Sequence, residues 1–221
     1  MLNRTGTANV WGGISVDLET GLAFLPVASP NPNHYGGDRL TEMPLVDATV
    51  AADAETGVVR WSRQLVHHDL WDLDVNSAPT LVDIRKDGRT IPALVQANKM
   101  GLMVVLNRST GEPIYPIVER PVPNSDVKGE VAAKTQPFVP YPEPLTAEHM
   151  PPVSRLADLV SFGQCSRWKA RLRDEGRYTP PSVRGSLSWP GLVGGRGMGR
   201  WRGGSHHGHL CHQCLSGAAD L

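Results

Sequence analysis

The run His67-His68-Asp69-Leu70-Trp71-Asp72, with Lys99 further along the chain, holds the residue types best suited to chemistry. A carboxylate and an ammonium carried by separate strand ends can act together as a proton acceptor and a charge clamp. The run follows an expected strand over 58–65, in a loop that can aim side chains inward. Asp72 is the candidate general base: in a desolvated pocket its carboxylate can take the proton of an alcohol hydroxyl as the carbon-bound hydrogen leaves with its electron pair. In the competing reading, Asp69 or the histidines simply hydrogen-bond and hold the loop, a role open to any single member of such a cluster.

Lys99 stands in Gln96-Ala97-Asn98-Lys99-Met100-Gly101, between apolar runs at 91–95 and 102–106. It is either an ordinary solvated lysine between strands or, if turned into the cavity of Asp72, a cation that stabilises charge developing on a quinone oxygen. Trp11, in Asn9-Val10-Trp11-Gly12-Gly13, reads either as a core plug or as the flat floor under a planar tricyclic cofactor. Cys211-His212-Gln213-Cys214, near His206, His207 and His209, has no second paired motif to complete four zinc ligands and no His directly after Cys214 for haem attachment. No Walker loop, dinucleotide fingerprint or nucleophile elbow is present, which disfavours nucleotide-dependent dehydrogenase chemistry.

The elements that must position these residues are short strands. Three segments, Val16-Asp17-Leu18-Glu19-Thr20-Gly21, Ala52-Asp53-Ala54-Glu55-Thr56-Gly57 and Leu106-Asn107-Arg108-Ser109-Thr110-Gly111, each join two β-rich runs. An Asp or Asn side chain accepts a backbone hydrogen bond within such a turn, and Gly supplies the positive φ that closes it. The intervals between these glycines lie near the length of a four-stranded blade, with an insertion in the second, so the repeat points to a β-propeller. Proline is dense over 113–152, which excludes central strands and implies an extended excursion. Residues 154–175 read as an interrupted helix, with Leu156, Leu159, Val160, Phe162, Trp168 and Leu172 as its apolar positions and Gly176 as a stop. Beyond about residue 191 glycine and histidine crowd together and apolar alternation ends, so no packed blade is expected there.

The 221 residues suffice for one good-sized core or for part of a larger one. With 22 basic and 22 acidic residues there is no global field to draw nucleic acid or an anionic membrane, and a small neutral partner fits better. The three cysteines make no disulfide framework. No apolar stretch approaches the roughly 20 residues that span a bilayer, and Met1-Leu2-Asn3-Arg4-Thr5-Gly6 opens no signal peptide.

Taken in order, Asn9-Val10-Trp11, Tyr35-Gly36-Gly37-Asp38-Arg39, Val66-His67-His68-Asp69-Leu70-Trp71-Asp72, Ala78-Pro79-Thr80-Leu81 and Val104-Val105-Leu106-Asn107-Arg108 resemble the pyrroloquinoline quinone (PQQ) dependent dehydrogenases, most closely the membrane-bound quinoprotein glucose dehydrogenases. Arg120-Pro121-Val122-Pro123, Thr135-Gln136-Pro137-Phe138 and Tyr178-Thr179-Pro180-Pro181-Ser182 extend the resemblance, which covers about residues 6–195. It implies an all-β fold, a partial eight-bladed β-propeller of quinoprotein type with a short helical insertion. It also implies PQQ, a divalent ion (Ca²⁺ or Mg²⁺), and oxidation of an aldose such as glucose to its lactone with electrons passed to ubiquinone. By position, Asp72 matches the family's proton-accepting aspartate, Lys99 the lysine near the quinone oxygens, and Trp11 the tryptophan beneath the ring. Asn31-Pro32 lies near where related alcohol dehydrogenases carry a metal-binding Asn, but the metal ligands stay unassigned.

The family's transmembrane segments and first blades have no counterpart in this sequence. The resemblance therefore implies an internal fragment, with a periplasmic inner-membrane location for the full-length family and no targeting signal in this chain. From Arg196 the chain diverges, and its possible codons permit a Trp-Gly-Gly segment and an apolar strand in a shifted reading frame, so 196–221 is expected to be an aberrant, disordered tail. The rival readings are a non-catalytic propeller scaffold that binds protein partners, a soluble-type PQQ alcohol dehydrogenase and an inert remnant. Asp72 and Lys99 at the family interval weigh against the first.

Overall fold

A computed structural model of the chain describes residues 8–150, 152–153 and 155–191. The tail from 196 and its Cys211–Cys214 pair lie outside the described residues. The three Thr-Gly segments fold into one turn design. Asp17, Asp53 and Asn107 each accept, through Oδ1, the backbone N–H two residues on, at 3.1, 3.2 and 2.9 Å. Gly21, Gly57 and Gly111, all at positive φ, donate back to the carbonyls of those same residues at 2.8–2.9 Å.

Strands β1 (Ser15–Asp17), β2 (Leu22–Val27), β3 (Ala48–Asp53) and β4 (Val59–Gln64) form an antiparallel four-stranded meander in that order, which is one blade. The first two Thr-Gly turns both belong to this sheet. The interval between them, expected to mark a blade, therefore does not: a meander returns twice to the same end, and each return needs a turn. Strands β5 (Thr80–Lys86), β6 (Arg89–Ala97) and β7 (Met103–Asn107) make the next antiparallel sheet. The third turn leads from β7 back to Pro113, bridged to Leu106, and Ile114 N–H donates to the Val105 carbonyl at 2.8 Å.

The proline-dense segment holds no central strand among its described residues, as expected. It carries a two-stranded ribbon of β8 (Val118–Pro121) and β9 (Thr135–Phe138), which tolerates Pro121 and Pro137 because each strand has a free edge. The expected interrupted helix is two pieces, α1 (Arg155–Val160) and α2 (Gln164–Arg171), broken where Phe162 and Gly163 both take positive φ. It ends at Leu172 rather than Gly176, because Leu172 is already extended and Arg173 bridges to Ser186. Leu159, Phe162 and Trp168 are exposed and stand apart from the core. No helix among the described residues is long and apolar enough to cross a membrane.

One core runs through both sheets and the connections between them, centred on Phe24, Leu65, Leu70, Trp71, Leu94, Met100, Leu106 and Tyr178. Trp61 of β4 locks the sheets together: its ring lies 5.8 Å from that of Phe24, and its Nε1 donates to the Arg108 carbonyl at 3.0 Å. Gly111 presses against this ring so closely that a Cβ there would sit 2.6 Å from it, whereas a Cβ on Gly57 would meet open space. Gly57→Ala is expected to cost only the left-handed backbone penalty, about 1–2 kcal/mol. Gly111→Ala adds overpacking of a further ~1–3 kcal/mol. Urea unfolding of the two variants checks this, and equal losses would contradict the account of Trp61.

Candidate active site

The loop after β4 is built by its own carboxylates. Asp69, fully buried, accepts Trp71 N–H on Oδ1 at 2.8 Å and Leu73 N–H on Oδ2 at 2.7 Å, so the backbone on both sides of Asp72 is fixed. This holds Asp72 at φ 66°, a left-handed conformation that Asp tolerates better than most residues and that persists when its surroundings determine it. The local role weighed for Asp69 is thus the one its contacts support. Arg39 adds a donor to the Asp69 carbonyl at 2.7 Å, and Gln136 of β9 pairs with both the N–H and the C=O of His67. Trp71 is a core plug: its Nε1 donates to the Thr179 carbonyl at 2.7 Å, and its ring meets that of Tyr178 edge-on at 5.7 Å.

Beyond Asp72 the chain alternates, with Leu73 and Val75 in the core and Asp72 and Asp74 both reaching Lys99. Two residues of separation put both carboxylates on one side of an extended segment. Lys99 Nζ lies 2.8 Å from Asp72 Oδ2, 2.6 Å from Asp74 Oδ2 and 2.9 Å from the Asp72 carbonyl. Its side chain is 8% exposed, so the reading of Lys99 as a solvated connector is set aside. Burial alone would pull the ammonium's pKa down, but the hydrogen bonds and charges of Asp72 and Asp74 outweigh it and hold the group above the usual 10.5. The same Nζ stands 5.9 Å from the centroid of the Trp11 ring, and Trp11 is 39% exposed, so it is not a core plug. The three residues singled out from the sequence converge.

Asn33 and Asp74 were not anticipated. Asn33 Nδ2 donates to Asp72 Oδ1 at 2.7 Å, while its own Oδ1 is buried without a partner. Asn31, noted in the sequence, has no such contact with Asp72 among the described hydrogen bonds. A separate hollow of about 430 Å³, lined in part by Leu102, Arg120, Phe138 and Arg177, offers no free cation from Arg177, whose guanidinium is spent on Met100, Thr146 and Ala147.

Residues 2–210 match the family model described as the glucose/ethanol/alcohol dehydrogenase β-propeller domain of PQQ enzymes. The chain is 38% identical over 201 residues to quinoprotein glucose dehydrogenase A of Acinetobacter calcoaceticus, covering 84% of this chain and 24% of that protein. The corresponding figures are 39% over 201 residues, 88% and 24% for the quinoprotein glucose dehydrogenase of Gluconobacter oxydans. For the quinate/shikimate dehydrogenase (quinone) of Acinetobacter baylyi they are 36% over 201 residues, 89% and 25%. This chain belongs to the PQQ-dependent dehydrogenase family, and it spans about a quarter of the length of these relatives.

PQQ is a flat, multiply anionic ortho-quinone, and the residues present fit such a group. A half-exposed indole beside Gly12 and Gly13 offers a stacking face, and a buried ammonium lies within reach of that face. A divalent cation does not find an equivalent fit. Among the described residues no three His, Cys, Asp or Glu side chains converge to hold an ion, and Asp72 already meets Asn33 and Lys99. The unpartnered Asn33 Oδ1 is far short of the six to eight oxygens that Ca²⁺ takes.

Lys99→Met would leave Asp72 and Asp74 side by side without their cation, a loss of about 3–5 kcal/mol. Because Lys99 titrates higher folded than unfolded, its contribution is fully present below pH 10.5 and disappears as pH rises through the elevated folded value. Urea midpoints across this alkaline range should fall in the wild type through a limb that Lys99→Met lacks.

Proposed function

We propose that this chain carries the base and part of the cofactor seat of a PQQ-dependent dehydrogenase that oxidises an aldose such as glucose to its lactone, passing electrons to ubiquinone at the periplasmic face of a membrane. The observation that carries the reading is the convergence of Asp72, Lys99 and the Trp11 ring within one site. Two relatives named glucose dehydrogenase support the sugar, and the Acinetobacter baylyi relative makes a cyclic polyhydroxy acid the alternative substrate. Residues 1–195 are read as part of one propeller. Ca²⁺ or Mg²⁺ belongs to the proposal for the whole protein only, and no step below uses it.

Bound PQQ supplies an ortho-quinone that accepts two electrons. Trp11 gives it a flat face to lie on. Lys99 has three protons on Nζ, and three acceptors, Asp72 Oδ2, the Asp72 carbonyl and Asp74 Oδ2, already engage them. To reach a quinone oxygen it must release one, and the Asp72 carboxylate, whose side chain is 18% exposed, is the one that also has to face substrate. Asp72 then accepts the substrate's hydroxyl proton on its carboxylate, with Asn33 holding Oδ1 in place. Asp74, which is more buried, retains Lys99 throughout.

The test is a PQQ titration of the full chain followed by tryptophan fluorescence, with dye reduction on addition of glucose or quinate. Trp11→Ala and Lys99→Met are each expected to weaken PQQ binding about tenfold or more. Asp72→Asn should keep binding and lose about 10²–10⁴ of any turnover. PQQ affinity indifferent to both binding-site substitutions, or turnover equal in Asp72→Asn, would remove the reading.

A further inference from the structure

Ser29 has had no part so far, yet it joins three buried acidic side chains, Asp47, Asp69 and Asp74. Its backbone N–H donates to Asp74 Oδ1 at 2.8 Å. Its hydroxyl lies 2.8 Å from Asp47 Oδ1 and closer still to Asp69 Oδ2. Ser29, Asp47, Asp69 and Asp74 are all more than nine-tenths buried.

A hydroxyl has a single proton, so Ser29 can donate to only one of these two carboxyls and must accept from the other. The geometry therefore requires a proton on one of them, and the remaining contacts say which. Both oxygens of Asp69 receive backbone N–H groups, the donors that suit an anion. Asp47 Oδ2 is buried with no partner, which would be costly for a carboxylate and much less so for the carbonyl oxygen of a neutral acid.

We propose that Ser29 is a positioning residue for the Asp72–Lys99 pair, acting through a relay in which Asp47 bears the proton and donates it from Oδ1 to Ser29 Oγ, which in turn donates to Asp69 Oδ2. One arm of the relay runs through Asp69 to the backbone on both sides of Asp72. The other runs from Ser29 N–H through Asp74 to Lys99. The charged groups facing Asp47 are Asp69, Asp74 and Arg39. Burial, then the Asp69 charge, holds Asp47 well above the usual 3.8, while burial raises Asp69 as well. The positioning role rests on the reading of Asp72 and Lys99 given above, but none of its tests involves PQQ, so the two can fail separately.

An infrared spectrum of the full chain at neutral pH should show the carbonyl band of a protonated carboxylic acid that is lost in Asp47→Asn. No such band, or one that survives in Asp47→Asn, overturns the proposal. In urea unfolding at neutral pH, Asp47→Asn, whose amide can donate as the acid does, should keep or raise the midpoint, and Asp69→Asn should lower it. The reverse order overturns the relay's direction. Because folded Asp47 keeps a proton that the unfolded chain releases near 3.8, it makes stability decline with pH above that value, and Asp47→Asn should remove this decline. Ser29→Ala, which keeps the N–H on Asp74 but removes the hydroxyl between Asp47 and Asp69, should loosen the loop that carries Asp72 and so move the alkaline limb of Lys99 to lower pH, and an unmoved limb overturns the positioning role. If Ser29→Ala does not fold, the spectrum and the two Asp variants still decide.

Discussion

A single buried ammonium sets the terms for the surrounding structure. Removing Lys99 from water costs several kcal/mol, which close opposite charge offsets only when the geometry is good. Asp72 and Asp74 meet this condition from one side, at 2.8 and 2.6 Å. For both to point the same way, the residue between them must point the other way, and Leu73 does so by joining the core. The apolar packing of the loop and the polar chemistry of the site are thus two faces of one alternating segment. A change to either face moves the other.

The loop is held at three depths. Nearest the site, Asn33 and Lys99 fix the carboxylate of Asp72. Beneath, Asp69 fixes the backbone that carries it, with Arg39 on the Asp69 carbonyl. On the outer side, Trp71 and Gln136 tie the loop to Thr179 and to β9. Such redundancy is what keeps a left-handed aspartate in place, since without it the backbone would relax to a commoner conformation.

The site was legible in the sequence where residue type is rare in its setting. A lysine between two apolar runs, a tryptophan beside two glycines and a carboxylate ending an aromatic-bearing loop were candidates with ordinary structural readings beside them, the family resemblance gave them their roles, and the fold brings them together. Asn33, Asp74, Asp47 and Ser29 did not stand out, because polar residues in a loop rich in Pro, Asn and Asp look like ordinary turn formers. Their roles depend on long-range contacts, such as Ser29 with Asp74 and Asp69, that no local pattern encodes. The turn chemistry was legible residue by residue, because an Asp side chain and a Gly with positive φ act locally. Counting blades from those turns failed, since strand order is a property of the whole sheet.

All the side chains around Lys99, from Trp11 through Asn33 to Asp74, precede it along the chain, whereas Gln136, Tyr178 and Thr179, which brace the loop's far side, come well after it. On a ribosome, where chains emerge from the N-terminus at about 5–20 residues per second, the ion pair has every partner available once Lys99 leaves the exit tunnel. The outer bracing must wait for roughly eighty more residues. During that interval the loop is held by residues up to Lys99, the Asp72–Lys99–Asp74 cluster together with the hydrogen bonds of Asp69, Arg39 and Ser29, so translation order lets the catalytic candidates guide the folding of their own support.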